Sequence, residues 1–271
     1  MFYHVGMERG TGETEVQAPI ALRGGTERAL AVLKELARHP SGTTLDELSR
    51  TLSTPKSSVH RALVALVKAG LAVRPEPGRY SLGTEFIRLA YTHQEGRVEP
   101  RLVEPCLREL ADTLGETAHY AELEGHEVIY LAKVNPSHQS VQMTSRIGGR
   151  NPAFCTGVGK ALLASRLAAA PDEETFLAGL GPLAARTAKT LADPAALIAD
   201  LRATAERGYA LDDEENERNV RCVGAAVLDE RGRPIGPVSV SALTLDLALG
   251  DVPAIGARVA VAAHELSRVA R

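Results

Sequence analysis

A chain of 271 residues with 44% hydrophobic and 24% charged residues is ordinary for a globular protein and long enough for two modest cores. Three scattered cysteines, Cys106, Cys155 and Cys222, exclude a disulfide framework or a CxxC metal site, and no run approaches a membrane span, so the composition fits a soluble cytoplasmic protein. The formal charge of −3 conceals an asymmetry: residues 20–95 carry 11 Lys and Arg against 7 Asp and Glu, and residues 96–271 carry 19 against 24, so affinity for a polyanion belongs to the first part.

Residues 1–19 lack the apolar core of a signal peptide and read as a disordered tail. A helix is predicted from Thr26 to about His39, with Ala29, Leu30, Leu33, Leu36 and Ala37 inward, before Pro40-Ser41-Gly42 ends it. Thr44 with Glu47 three residues on makes a capping box for a second helix, whose buried stripe is Leu45, Leu48 and Leu52. Ser53 and Thr54 form a turn, and Thr54-Pro55 supplies an N-cap and a first-turn proline for a third helix. On that helix Val59, Leu63, Leu66 and Val67 share one face, so Ser57, Ser58, Arg61 and Lys68 point the other way, with Lys56 and His60 at the flanks. Gly70 ends the helix, and LAV at 71–73 and YSL at 80–82 read as strands joined by a tip that Arg74 and Arg79 flank.

Order and spacing of these parts describe a winged helix-turn-helix over residues 20–82. Small hydroxyls let a helix sit deep in the major groove of double-stranded DNA, an arginine fork matches guanine or phosphate acceptors, and the lysines and wing arginines suit the backbone. A solvated polar face on a plain trihelical domain is the competing reading, and it explains neither the cap nor the basic wing. A net +4 over residues 20–95 is modest, which implies that two copies act together on DNA.

TEFIRLAYTHQ reads as a connecting helix, with residues 83–96 as linker, and residues 97–271 form a second domain. A helix over 99–114 carries the stripe Leu102, Val103, Cys106, Leu107, Leu110 and Leu114. Strands follow at 117–123, 126–134 and 140–145, then helices near 157–169, 172–180 and 193–207, the last with Asp193 as cap, Pro194 at its first position and Gly208 at its end. Further strands at 209–211, 221–229 and 234–243 precede a closing amphipathic helix over 251–270. The fold class is therefore α+β: a winged helix-turn-helix followed by a mixed sheet flanked by helices, which suggests a DNA reader fused to a small-molecule sensor.

In CTGVGKALLA, small residues lead directly into a helix, so free N–H groups and the positive helix end could receive a carboxylate; a tight turn needing glycine for close packing is the plainer reading. The run Asp212 to Glu217 lacks the spacing and glycine of a calcium loop and reads as a solvated loop with only Asp212 turned inward. Ser239 and Ser241 alternate onto one strand face, where with Asp212 they could bind a ligand hydroxyl, amide or amine. As an alternative, His119, His126, Cys155, Cys222, Ser239 and Asp212 could supply a nucleophile and base, but no GxSxG, HExxH or phosphate loop accompanies them; no catalytic, metal or cofactor site is expected. A second alternative is a protein-interaction module without DNA, which the outward basic face disfavours.

Three stretches, TPKSSVHRALVALVKAGL with GRYSLG, GGRNPAFCTGVGKALLA at 148–164, and DDEENERNVRCVGAAVLDERGRPIGPVSVSA at 212–242, resemble the isocitrate lyase regulator (IclR) family of bacterial transcription factors over roughly residues 22–270. The resemblance implies a GAF-like effector domain behind the winged helix, assembly into a homodimer or homotetramer, and a small organic effector, an acid, amide or aromatic. It implies that Phe154, Cys155, Thr156, Gly157 and Val158 form the loop over the ligand and that Asp212, Cys222, Ser239 and Ser241 line its pocket. Phe154 stands where the family usually has histidine, which argues for a ligand with an apolar part.

Overall fold

A computed structural model describes residues 24–94, 100–136 and 144–269. The expected tail and most of the expected strand at 140–145 lie outside the described residues. The chain divides into two compact units, Met1–Glu95 and Gly96–Arg271.

The first unit holds α1 (Gly25–Leu36), β1 (Thr43–Thr44), α2 (Leu45–Thr51), α3 (Lys56–Lys68), β2 (Ala72–Val73), β3 (Arg79–Leu82) and α4 (Thr84–Gln94). Val32, Leu36, Leu48, Val59, Leu63, Leu66 and Tyr80 form its core. Leu30, expected inward, is 54% exposed, because it sits about 100° around the helix from Ala29 while Val32 and Leu36 stay in phase with it. The capping box of α2 forms as the sequence implies: Glu47 N–H donates to Thr44 Oγ1 at 3.2 Å and Thr44 N–H to Glu47 Oε2 at 2.8 Å. That backbone N–H, with the Thr43 and Thr44 hydroxyls, holds the Glu47 carboxyl down at about 2.

Two details of α3 correct the sequence reading. Pro55 is its N-cap, and the Thr54 hydroxyl donates to Leu52 O at 2.8 Å instead of capping the helix. Ala62 takes the buried place expected for Val67, which is exposed, since Ala62 lies three residues from Val59 and four from Leu66. The strand β1 was also not foreseen. It pairs antiparallel with β3, giving a three-stranded sheet in the order β1-β3-β2.

The second unit holds α5 (Pro100–Leu114), β4 (Thr117–Glu124), β5 (Glu127–Val134), β6 (Arg150–Pro152), α6 (Gly157–Ala169), α7 (Glu173–Ala178), α8 (Pro194–Arg207), β7 (Ala210–Asp213), β8 (Val220–Leu228), β9 (Pro234–Leu243) and α9 (Val252–Val269). Its sheet runs β6-β5-β4-β9-β8-β7. All of these pairings are antiparallel, which corrects the mixed sheet expected. Short reversals join β4 to β5 and β8 to β9, and the two halves meet where β4 lies antiparallel to β9.

Alternation sorts the side chains of the central strands. Ala118, Tyr120, Ala225, Val227, Val238 and Val240 pack with Val103, Leu107, Val259 and Leu266 of α5 and α9. On α5, Leu102 is exposed and Ala111 is buried in its stead. The intervening residues face the opposite layer, where Phe154, Cys155, Val158, Leu163, Leu197 and Leu201 build a second core. The α8 ends match their signals: Asp193 accepts from Ala196 N–H at 2.8 Å, and Gly208 adopts the left-handed φ of 81° that closes the helix.

Candidate functional site

On α3 the residues left outside the core form a continuous face. Ser57, His60, Arg61 and Lys68 are exposed and Ser58 is half-buried. Val64 and Ala65 are exposed on the same face, between Arg61 and Lys68. The pattern of polar residues alone did not reveal them, yet small apolar groups beside an arginine match the thymine methyl in a major groove. Lys56 pairs with Asp46 at 2.9 Å, both side chains being exposed, a contact weak enough to yield to a phosphate.

The wing arginines separate. Arg74 is exposed, with its guanidinium 4.8 Å from the Tyr80 ring centre. Arg79 does not stand free as the sequence implied, since it donates to Gly42 O at 2.6 Å and Ser41 O at 3.3 Å. The reason is β1, whose pairing with β3 brings those carbonyls beside the guanidinium.

In the second unit, the register brings together the distant residues expected to line a pocket. Asp212 faces Cys222, Cys222 faces Ser241 and Ser241 faces Thr117 across β7, β8, β9 and β4; Gly224 faces Ser239, and Ser239 faces His119. Both rows lie under the start of α6. A Cβ on Gly157 would come within 2.9 Å of Cys222 Sγ, and one on Gly224 within 2.7 Å of the Gly157 carbonyl, so helix and sheet touch only because both residues are glycine. The close-packing reading of these glycines therefore applies, and the Cys222 thiol lies beside the Gly157 N–H and the Ser239 and Ser241 hydroxyls. Thr156 caps α6, accepting from Gly159 N–H at 3.2 Å.

Phe154, Cys155 and Val158 are buried in the second core with Tyr130. Next to Tyr130, a cavity of about 260 Å³ is lined by Ser145, Arg146, Asn151, Arg186 and Asn216 among others. Arginines at its mouth suit an anionic ligand. Tyr130 reaches this site through a β-bulge. The pairing shifts between Tyr120 and Ala121, which puts Tyr130 and Lys133 on one side and sets the Tyr130 ring 5.2 Å from that of His119. Sequence alternation alone could not place it there.

The acidic loop after β7 is not a solvated run with one residue turned in. Glu215 is buried as well, because the fully buried Lys160 of α6 pairs with it and with Asp200, the latter at 2.8 Å. Asp212 Oδ1 accepts from the N–H groups of Glu215 at 2.7 Å and Asn216 at 3.3 Å, so this oxygen holds its own loop.

Burial, then the Glu215 carboxylate, pushes the Asp212 carboxyl up to about 7, against the pull of Lys160 and of the two N–H donors. A carboxyl raised in the folded state favours folding fully below its unfolded value of 3.8, and that contribution is lost as pH rises through about 7. Asp212→Asn keeps the accepting oxygen without the charge. Denaturant unfolding at several pH values should therefore show the variant gaining stability relative to the parent between about pH 4 and pH 7; parallel profiles would refute this.

Burial also pushes the Cys155 and Cys222 thiols up, to about 12 and 11. Both remain protonated and unreactive at neutral pH. Cys106 is only half-buried on the stripe of α5. Among the described residues no group of three or more metal-ligating side chains occurs, and no helix is long and apolar enough to cross a membrane.

Comparison with known proteins covers both units. The IclR helix-turn-helix domain matches residues 25–76, and the C-terminal domain of the bacterial transcriptional regulator IclR matches residues 100–268. The HTH-type transcriptional regulator BhcR of Paracoccus denitrificans is 35% identical over 249 residues, covering 89% of this chain and 85% of that protein. The crystal structure of the Thermotoga maritima IclR superposes with a TM-score of 0.75 at 26% identity, over 90% of this chain and 97% of that one. An IclR homologue from Microbacterium hydrocarbonoxydans complexed with 4-hydroxybenzoate superposes with a TM-score of 0.71 at 25% identity, over 89% and 99%.

Proposed function

The chain belongs to the IclR family of bacterial transcriptional regulators, and we propose that it is a ligand-responsive member, in which a small organic effector bound in the second unit changes the hold of α3 on an operator. It is a DNA-binding regulator and not an enzyme, in keeping with the family and with its protonated, buried thiols. The observation that carries the effector reading is the convergence of Asp212, Cys222, Ser239 and Ser241 across three strands under the start of α6, in a unit that also holds a cavity lined by Tyr130, Arg146, Arg150 and Arg186. The effector is a small acid carrying an aromatic or aliphatic part, and 4-hydroxybenzoate, held by the Microbacterium homologue, heads the panel to be tried.

Ser57, Ser58, Arg61, Lys68, Val64 and Ala65 form the base-reading face, with Lys56, His60 and Arg74 toward phosphates. A mobility shift on the gene's own upstream region, repeated with the panel, tests the whole reading. Ligand-dependent loss or gain of the shifted band supports it, and a band indifferent to every acid, amide and aromatic tried refutes it. A preference of about 1.4 kcal/mol for one arrangement suffices to change operator affinity tenfold. The double change Ser239→Ala and Ser241→Ala should blunt the ligand response and leave ligand-free DNA binding intact; calorimetry showing parental effector binding would refute the pocket assignment. One unit of modest positive charge neutralises few phosphates, so the functional unit is a homodimer or homotetramer on paired half-sites. Sedimentation should show at least a dimer at binding concentrations, and a monomer with full affinity for a half-site would contradict that.

A further inference from the structure

His119 Nδ1 and Ser239 Oγ are buried on the sheet without a hydrogen-bond partner, the Ser239 hydroxyl having only the weakly bonding Cys222 thiol beside it. They belong to neighbouring residues, because His119 and Ser239 face each other across β4 and β9 and so share one side of the sheet. Each is almost wholly buried, and an unpaired buried polar atom is costly enough to point to a missing partner.

The other edge of the imidazole is occupied. His119 Nε2 lies 2.8 Å from Ser145 Oγ, and Ser145 is part of the cavity wall together with Tyr130, whose ring leans on the imidazole. The Ser145 carbonyl is in turn held by Lys133 Nζ at 2.8 Å. The imidazole therefore stands against Ser145 of the wall, held by that hydroxyl and by the Tyr130 ring, on the strand residue paired with Ser239.

We propose that His119 is a specificity-determining residue of the effector site, which with Ser239 selects a small acid bearing a hydroxyl at its inner end over the same acid without it. The proposal rests on the effector reading above. Burial and the neighbouring Lys133 ammonium push the His119 imidazole down to about 3, so it reads the ligand as a neutral group. A neutral imidazole presents one donor and one acceptor, and Ser145 can take either role at Nε2, so Nδ1 is a donor in one tautomer and an acceptor in the other. A hydroxyl satisfies both cases. It can also exchange a second hydrogen bond with Ser239, whereas a methyl or bare ring edge leaves both atoms unpaired. The acid group then lies toward Arg146 and Arg186 at the cavity mouth.

The test uses the full chain, calorimetry and two matched pairs: benzoate with 4-hydroxybenzoate, and propionate with 3-hydroxypropionate. In at least one pair the hydroxy acid should bind about tenfold tighter or more, as expected of a site built to bond that oxygen. His119→Leu should abolish the preference, and Ser239→Ala should abolish it without the bulk change. Thermal unfolding confirms that each variant is folded, and if His119→Leu fails to fold, Ser239→Ala alone decides. The His119 ¹⁵Nδ1 resonance should shift with the hydroxy acid and stay in place with its partner. Equal affinities within both pairs, or a preference that survives both substitutions, would overturn the proposal and assign the two atoms to a buried water. If acids bind and Ser241→Ala weakens them, the effector site stands even when the His119 assignment fails. If none of the four binds, this proposal fails, and the panel of acids, amides and aromatics decides the effector reading.

Discussion

Replacing Lys160 with alanine should destabilise the second unit by about 3–5 kcal/mol, the range for removing one partner of a buried ion pair. The ammonium is fully buried between Asp200 and Glu215, which sit on α8 and on the loop after β7. Without it the buried Glu215 carboxylate is left beside that of the half-buried Asp200. One Glu215 oxygen, Oε2, already lacks a hydrogen bond, so the loop has little in reserve. Burial pushes the Glu215 carboxyl up, and Lys160, followed by the weaker pull of the Leu191 N–H, draws it back. Urea unfolding monitored on the second unit checks the prediction, and a loss below about 1 kcal/mol would mean that water readily replaces the ammonium. A functional consequence follows from the same geometry. Asn216 lines the cavity and belongs to the loop that Glu215 anchors, so ligand affinity should fall along with stability.

Replacing Arg61 with alanine should weaken specific operator binding by about 1–3 kcal/mol, roughly 5- to 150-fold, with little change in the stability of the first unit. Arg61 is exposed on the outer face of α3, opposite the buried Val59, Leu63 and Leu66. Fluorescence anisotropy at several salt concentrations separates its roles: a base contact relaxes sequence preference, and a phosphate contact lowers the salt slope by about one. Arg79→Ala is the informative contrast. Because its guanidinium is bound to the Ser41 and Gly42 carbonyls, its loss should register in unfolding and not in the salt slope. Unchanged operator affinity of Arg61→Ala at moderate salt would remove α3 from the reading role.

Local chemistry was sufficient to read the DNA-facing unit from its residues. Thr44 and Glu47 cap α2 through atoms three residues apart, and the outward direction of Ser57, Arg61 and Lys68 follows from helical period once Val59, Leu63 and Leu66 are known to be apolar. The end signals of α8, from Asp193 to Gly208, were legible for the same reason. For the wing the deciding partner lay far along the chain. Arg79 is held by a turn 37 residues away, through a two-residue strand too short to leave a pattern.

The proposed ligand site divides along the same line. The alternation of Ser239 and Ser241 and the inward turn of Asp212 were read from the residues, and Cys222 came from family resemblance. That His119 stands beside Ser239, with Tyr130 turned onto it, depends on the pairing of β4 with β9 and on a bulge between Tyr120 and Ala121. Lys160 carries no local sign of burial, since a lysine in the first turns of a helix ordinarily reaches water. Only the carboxylates of Asp200 and Glu215, 40 and 55 residues on, make an interior position affordable for its charge. Sequence by itself determined what depends on spacing within one element: caps, faces and turn ends. Tertiary structure decided which buried polar groups find partners, because strand register and long-range ion pairing are set by contacts that no local period encodes.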